Sequence, residues 1–395
     1  MLKAGTCICP KCGKIFEMAY YYNAPSATGA VLHYSDKHKG YWIEPYFPGN
    51  PRRTADPGFS LRIISGPSPE AEGMPHSIRV LRTGPDGSRQ ELMMKHSCPE
   101  CATNTVLYKN YGAFPLYVIA LAGLTETGKS AWLTAISNPS NLARLSDAGF
   151  PCRIEPASFH GSRSPAESTA AGSLGKTTYL IIRDRENRGL AGVLLRDFSG
   201  ELFAPSDRSP SETGRSDGLW QEYSDDWALF ARQGSQYSGP DLFFIVDNAM
   251  RQDNKSDQET AAFNALRSNT DLAGRPIGLI LTHVDQLMEQ EPADPADPTG
   301  CVPLLSRRTF PQGTGYRPAQ MNARLALEHY LVTRTHSLGR YLDGQTGFRG
   351  FMVKSCEKEG GIQNFDSPIN VLDPLVWALN TLGIFPLPDT QTDQA

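Results

Sequence analysis

Gly123-Leu-Thr-Glu-Thr-Gly128-Lys129-Ser130 sets two glycines, a lysine and a hydroxyl at the spacing G-x-x-x-x-G-K-[ST]. The chemistry this spacing supports is phosphate binding. Glycines let backbone N–H groups turn inward around anionic oxygens, and a following helix N-terminus adds positive potential. The lysine ammonium reaches the β and γ phosphates, and the serine hydroxyl suits Mg²⁺. Thr125, Glu126, Thr127 and Ala131 complete the candidate contact set. Glu126 is unusual there, because it brings negative charge near the phosphates.

Two later apolar runs end in aspartate, at Asp197 and Asp247. Asp197 opens Asp197-Phe-Ser-Gly200, a D-x-x-G arrangement whose carboxylate would reach Mg²⁺, usually through water, while the Gly200 amide senses the γ phosphate. Asp247 would suit an ATPase, but Asn248 follows it where such enzymes commonly carry a catalytic glutamate. Further on, Thr282-His283-Val284-Asp285 puts T-H-x-D after another apolar run. Guanine presents N1–H and N2–H₂ as adjacent donors that one carboxylate accepts as a pair, whereas adenine offers an acceptor at N1. A buried Asp285 would therefore discriminate between the bases. The competing reading is that Asp285 caps the helix after it.

Taken in order, the phosphate loop, D-x-x-G, T-H-x-D and a weaker Ser355-Cys356 segment resemble the P-loop GTPases of the TRAFAC class over residues 115–385. The resemblance implies an α/β fold, a P-loop NTPase three-layer α/β/α sandwich, that binds GTP or GDP with Mg²⁺ and acts as a switch or slow hydrolase. It places Lys129, Ser130 and Asp197 on the phosphates and Mg²⁺, Asp285 on guanine, and the backbone at Ser355 and Cys356 on the guanine oxygen. Thr177 and Thr178 precede a predicted strand at the distance of the threonine that meets Mg²⁺ and the γ phosphate. The competing reading is two β-formers entering a strand. Glu201 stands where many relatives orient water with glutamine, which implies low turnover. His283 stands where lysine is usual, and Arg153 and Arg163 are candidate cations in cis. The alternatives are an ATPase built on Asp247 and a non-hydrolysing scaffold held together by nucleotide and zinc.

Five of the eight cysteines fall in Cys7-Ile-Cys9-Pro-Lys-Cys12 and Cys98-Pro-Glu-Cys101. In a reducing compartment such clusters are more often metal sites than disulfides. Cys9, Cys12, Cys98 and Cys101 form two C-x-x-C pairs, a thiolate set that suits tetrahedral Zn²⁺, with Cys7 as a spare ligand and His96 a weaker one. Combined with such an N-terminal zinc ribbon, the chain resembles a bacterial group of "double-GTPase" relatives associated with conflict and defence operons. Few aromatic and basic residues interleave with the knuckles, so a protein partner is expected there.

Elements that could position these groups follow from hydropathy. Near-continuous apolar runs predict buried strands at Leu116–Ala122, 179–183, 192–197, 242–247, Ile277–Thr282 and 350–355, alternating with helical patterns at Lys129–Ser137, 258–267, 318–342 and 371–382. Strands alternating with helices make a sheet with helices packed on it. Upstream, Ser60–Ser65, Ser77–Thr83 and a Pro85-Asp86-Gly87 turn predict a β-rich insert. The expected organisation is a zinc ribbon over residues 1–108, with knuckles 7–13 and 98–101 and the insert at 14–97. A nucleotide domain follows over residues 109–388, with an insertion around 286–318 and a flexible tail at 389–395. Pro-, Gly- and Ser-rich stretches at 151–175 and 205–218 predict surface loops.

Over 395 residues, 39% hydrophobic and 20% charged, the composition is that of a globular protein. No apolar run reaches the roughly 18 residues of a membrane span, and the N-terminus has no signal-peptide core, so a soluble, cytoplasmic protein is expected. A net charge of −4 gives no global reason to expect a nucleic-acid or membrane partner.

Overall fold

The structure, a computed structural model, describes residues 1, 6–9, 15–17, 20–24, 29–35, 40–46, 58–65, 77–99, 111–123, 127–147, 149–156, 177–197, 240–250, 274–286, 318–359, 362–364 and 368–387. The chain divides into two compact units, one built on residues up to Leu116 and the other on residues from Tyr117.

In the first unit, β1 (Thr6–Ile8) and β2 (Ile15–Glu17) form an antiparallel pair. A six-stranded sheet follows, made of β3 (Tyr20–Asn23), β4 (Gly29–Ser35), β5 (Gly40–Tyr46), β6 (Ser60–Ser65), β7 (Ser77–Thr83) and β8 (Arg89–His96). Its order is β5-β4-β3-β8-β7-β6 and its described pairings are antiparallel. Alternation decides the faces: Ile78 and Val80 pack with Leu92, Met94, Tyr22 and Leu32, while Arg79 and Met93 between them point outward. The β7–β8 hairpin turns at Asp86, whose carboxylate accepts from the Ser88 N–H at 3.0 Å and hydroxyl at 2.6 Å. Strands β3 to β5 were not expected, because their aromatic, glycine and histidine content hides the period of two.

The second unit is an α/β fold. Its seven-stranded sheet contains β9 (Leu116–Ala122), β10 (Cys152–Pro156), β11 (Thr177–Asp184), β12 (Gly189–Asp197), β13 (Leu242–Asn248), β14 (Ile277–Thr282) and β15 (Phe348–Met352), in the order β10-β11-β12-β9-β13-β14-β15. β9, β13, β14 and β15 are mutually parallel, and β10, β11 and β12 are antiparallel neighbours. A short hairpin of β16 (Glu357–Glu359) and β17 (Ile362–Asn364) follows. Consecutive residues of the parallel strands are buried on opposite faces. Ile119, Leu121, Phe244, Val246 and Phe351 pack with Trp132 and Ile136 of α1 (Lys129–Ser137). Ile245, Leu279, Leu281 and Met352 pack instead with Leu331 and Val332 of α3 (Pro318–Thr335) and Leu338 of α4 (Ser337–Leu342). Burial on both sides is why these strands read as unbroken apolar runs.

Some expectations shift. α2 (Pro139–Asp147) was not foreseen, although Asn138 caps it by accepting the Ser140 N–H at 2.9 Å, with Pro139 opening the first turn. β10 occupies the start of a stretch expected to be loop. The single helix expected at 318–342 is two, because His336 is extended (φ −113°, ψ 133°). β15 ends at Met352, before Ser355, and α5 runs Asp373–Thr381. The predicted helix at 258–267 lies outside the described residues. No described helix is long and apolar enough to cross a membrane.

A buried charge network joins α3 to the start of α5. Arg324 forms an ion pair with Asp373 (Nε to Oδ2 2.6 Å) and donates to the Asn370 side chain, while the Asn370 amide donates to Glu328. Glu328 and Asp373 are both fully buried. Burial first, then the Asp373 charge, pushes the Glu328 carboxyl well above the usual carboxylate range, against the pull of Arg324. A proton held more tightly by the folded state means that stability falls as pH rises from about 4.5 to the raised folded pKa. Glu328→Gln, measured by denaturant titration, is expected to flatten that fall and to match or exceed wild-type stability at pH 8. Asp373→Ala, which breaks this largely buried ion pair, is expected to cost about 3 kcal/mol.

Candidate functional site

Three parallel strands deliver their carboxyl ends to one place. β9 is the strand at which the sheet's order reverses, with β12 on one side and β13 on the other, and ligands of open α/β sheets bind at such a point. The chain leaves β9 at Gly123 with φ 153°, where an added Cβ would lie 2.2 Å from the Val246 carbonyl oxygen. Only glycine lets the loop pass that close to β13. Leu124, Thr125 and Glu126 lie outside the described residues. The loop re-enters at buried Thr127 and at Gly128, left-handed at φ 81°, which caps α1 without a side-chain hydrogen bond. Gly128, lacking a side chain, offers no cap of its own to the first-turn N–H groups of α1, an arrangement compatible with anion binding at a helix N-terminus. Lys129 is buried and its Nζ donates to the Gly123 carbonyl at 2.7 Å, so the ammonium folds back over the loop. Ser130 and Ala131 are half-buried on the first turn.

At the end of β14, the Thr282 Oγ1 lies 2.7 Å from the Thr127 carbonyl oxygen and 3.1 Å from that of Asp247. The loop after β9 and the ends of β13 and β14 thus meet at one hydroxyl. A Cβ on Gly128 would come within 3.0 to 3.2 Å of the Thr282 side chain, so the second glycine of the motif is also a close-approach position. His283 follows in the left-handed region (φ 58°), with Nδ1 2.9 Å from Thr282 Oγ1. Asp285 is half-buried, and its carboxylate makes no hydrogen bond or ion pair among the described residues. The residues after Gln286, whose N–H groups a cap at Asp285 would bond, lie outside the described residues. The segment after β15 is tied alongside: the Val353 N–H donates to the Leu281 carbonyl at 2.8 Å, and Lys354 pairs with Ile369 in an antiparallel bridge. Ser355 is buried, with no hydrogen-bond partner for its hydroxyl among the described residues, and Cys356 is half-buried.

Asp197 ends β12 and is buried. Thr177 and Thr178 do not precede β11 but begin it, paired across from Arg196 and Leu195, so the start of β11 lies beside the end of β12. As strand residues they match the β-former reading. Thr178 shares the sheet face of Leu195 and Thr177 that of Arg196. Gly200, Glu201 and Arg163 lie outside the described residues. Arg153 pairs across from Arg183, six residues along β11 from Thr177 or about 20 Å, and its Nε contacts Glu155 at 3.3 Å. It therefore sits at the far end of the hairpin, which removes it as a cation in cis. Asp247 is turned to other work: it accepts the Asn248 N–H at 2.7 Å, and its second oxygen lies 3.4 Å from His336 Nε2.

Several positioning residues escaped the sequence reading. The Trp132 indole donates to the Val371 carbonyl at 2.9 Å, fixing α1 to the segment before α5, and Asn370 in that segment is left-handed at φ 52°. The apolar surroundings of Trp132 advertised core, and nothing in sequence announces the hydrogen bond.

In the first unit, Cys9 and Cys98 are fully buried and pack together with Phe16. Cys12 and Cys101 lie outside the described residues. Cys7 donates its thiol to the Tyr111 carbonyl at 3.7 Å, and burial pushes that thiol up to about 12. His96 is buried, tilted against the Tyr22 ring. No three metal-ligating side chains converge among the described residues.

No protein-family profile matches the sequence, and no curated protein matches it. Solved structures show distant likenesses. A GTP-binding protein from the hyperthermophilic archaeon Sulfolobus solfataricus, in complex with GDP, is 12% identical over 67% of this chain, with a TM-score of 0.30. This chain spans 53% of that protein's length. The G domain of the T. maritima FeoB iron transporter is 12% identical over 61% of this chain and 88% of its own, with a TM-score of 0.25.

The geometry around Thr282 makes a stability prediction. Thr282→Val keeps the shape and removes the hydroxyl, and is expected to cost about 1–2 kcal/mol in urea denaturation, with Thr282→Ser recovering most of it. Gly123→Ala should be worse than Gly128→Ala, because its Cβ meets a backbone oxygen rather than a side chain.

Proposed function

We propose that this chain is a guanine-nucleotide-binding P-loop protein, a GTP-dependent switch or slow GTPase that converts GTP to GDP and phosphate. The observation that carries the reading is the convergence at Thr282: a phosphate-type loop and a T-H-x-D loop are hydrogen-bonded to each other at the carboxyl ends of parallel strands. In this reading Lys129 and the first-turn N–H groups of α1 hold the β and γ phosphates, with Gly128, Ser130 and Ala131 supplying backbone contacts. Asp285 accepts the paired guanine donors, and Ser355 and Cys356 approach the guanine oxygen. The half-buried carboxylate of Asp285 has no other described partner, which suits that task.

A hydroxyl at Ser130 and a buried carboxylate at Asp197 are oxygen donors of the kind Mg²⁺ takes, and Thr177 or Thr178 would join them. When bound, Mg²⁺ neutralises charge developing on the phosphates. The protein's part is to orient them: Lys129 lies over the loop already, and Glu201 would hold the attacking water, its own charge keeping turnover low. Asp247 has its oxygens toward the Asn248 N–H and His336, contacts that metal binding there would have to displace. The alternative, an ATPase built on Asp247, would require those contacts to give way to Mg²⁺.

Cys9 and Cys98, packed together, offer half of a tetrahedral thiolate set, and Cys12 and Cys101 would complete a structural Zn²⁺ site. Cys7 is occupied with Tyr111 and does not take the place of Cys9 in this reading. The zinc ribbon is the surface on which we expect a protein partner, and with it the chain fits the defence-associated double-GTPase relatives that its motifs resemble.

Nucleotide binding to the purified full chain tests the proposal. GTP and GDP are expected to bind at least about a hundredfold more tightly than ATP, and Asp285→Ala should collapse that preference. Equal affinity for ATP and GTP would defeat the guanine assignment. Lys129→Ala should abolish binding without unfolding the protein; an effect on stability alone would favour the scaffold alternative. Elemental analysis should find about one zinc per chain, lost in Cys98→Ser.

A further inference from the structure

Thr282 has one hydroxyl proton and three acceptors within reach: the Thr127 carbonyl at 2.7 Å, the Asp247 carbonyl at 3.1 Å and His283 Nδ1 at 2.9 Å. A bare Nδ1 competes with Thr127 for that proton. An Nδ1 that carries its own proton instead donates to Oγ1, and the hydroxyl proton is left for the shorter contact, to Thr127. Only the second arrangement satisfies both short contacts at once. The backbone holds the ring in place for it: His283 is left-handed at φ 58°, the Ala249 N–H donates to the Thr282 carbonyl at 2.9 Å, and the Gln286 N–H closes a turn on the His283 carbonyl at 3.1 Å.

We propose that His283 is a positioning residue: with its proton on Nδ1 it directs the Thr282 hydroxyl onto Thr127 and so couples the base-side loop to the phosphate loop. The ligand in this inference rests on the guanine-nucleotide reading above; the hydrogen-bond chain does not. A lysine at this position would carry a fixed charge, whereas an imidazole titrates near pH 6.5 in water. The protonated ring always presents Nδ1–H, and the neutral ring shares its single proton between two tautomers. A ring carrying both protons therefore completes the coupling, whereas a neutral ring completes it in one tautomer only.

Among the described residues, the charged groups on the segments that meet at Thr282 include Lys129 of α1, Asp247 of β13 with His336 against it, Asp285 three residues after Thr282, and Lys354 after β15. Lysines stay protonated and ordinary carboxylates ionised between pH 6 and 8. His283 and His336 are the two histidines of this set, and the test varies each of them.

The test follows a fluorescent GDP analogue binding to the full chain from pH 6 to 8, in wild type, His283→Lys and His336→Gln. The terminal phosphate of GDP also titrates here, but equally for all three proteins. Wild type and His336→Gln are expected to lose about three- to tenfold more affinity across the range than His283→Lys. Parallel profiles in wild type and His283→Lys would overturn the coupling. Nitrogen-15 NMR of histidine-labelled protein without nucleotide supplies the independent arm. His283 is expected to show a protonated Nδ1, with the signal missing in His283→Lys and moved in Thr282→Val; a bare Nδ1 would sink the proposal. Absence of GDP binding at every pH would defeat the nucleotide reading, and the NMR result then decides the positioning claim alone.

Discussion

The hydroxyl of Thr282, 2.7 Å from the Thr127 carbonyl, is the contact on which the site depends. It spans from the end of β14 past the end of β13 to the loop that leaves β9, joining residues 155 positions apart in sequence. Such a reach requires the strand ends to crowd together, and the two glycines of the loop permit it. Gly123 passes the Val246 carbonyl and Gly128 passes Thr282 at separations that a side chain would close. A motif usually explained by the needs of a phosphate is here also required by the packing of its own sheet.

Behind that meeting point stands a second frame. The Trp132 indole binds the Val371 carbonyl, the bridge between Lys354 and Ile369 ties in the loop after β15, and Arg324 clamps Asn370 and Asp373. α1, the segment before α5 and α3 are therefore held to one another by directional bonds as well as by the apolar cluster around Phe244 and Phe351. Hydrophobic burial supplies most of the cohesion of such a unit but little register. Hydrogen bonds and buried charges, costly when unmatched, select one arrangement of the loops.

The sheet divides the work. Its parallel half, buried on both faces, carries the loops that meet at Thr282. Its antiparallel half carries Asp197 and the two threonines at one end of the β11–β12 ladder and Arg153 at the other. That separation along two strands decides which side chains can share a site with Asp197, and loop composition alone could not have revealed it.

The parallel strands and the two glycines before α1 were legible in the sequence, because a strand buried on both faces must be apolar throughout and a loop that crowds its neighbours must be glycine where it does so. The sequence placed Leu116–Ala122, Ile277–Thr282 and Lys129–Ser137 without displacement, and it grouped Cys9 and Cys98 with Cys12 and Cys101 in one thiolate set, of which the structure describes Cys9 and Cys98 packed together. β10, α2 and strands β3 to β5 were not legible, since their apolar periods are short or masked by aromatic and polar residues. Tertiary structure alone decided that Thr282 bonds to Thr127, that Asp247 faces His336, that Arg153 lies far from Asp197, and that Glu328 is buried beside another carboxylate. Each depends on which strand ends and helix faces become neighbours, and that adjacency is set by sheet order, a property no local run of residues contains.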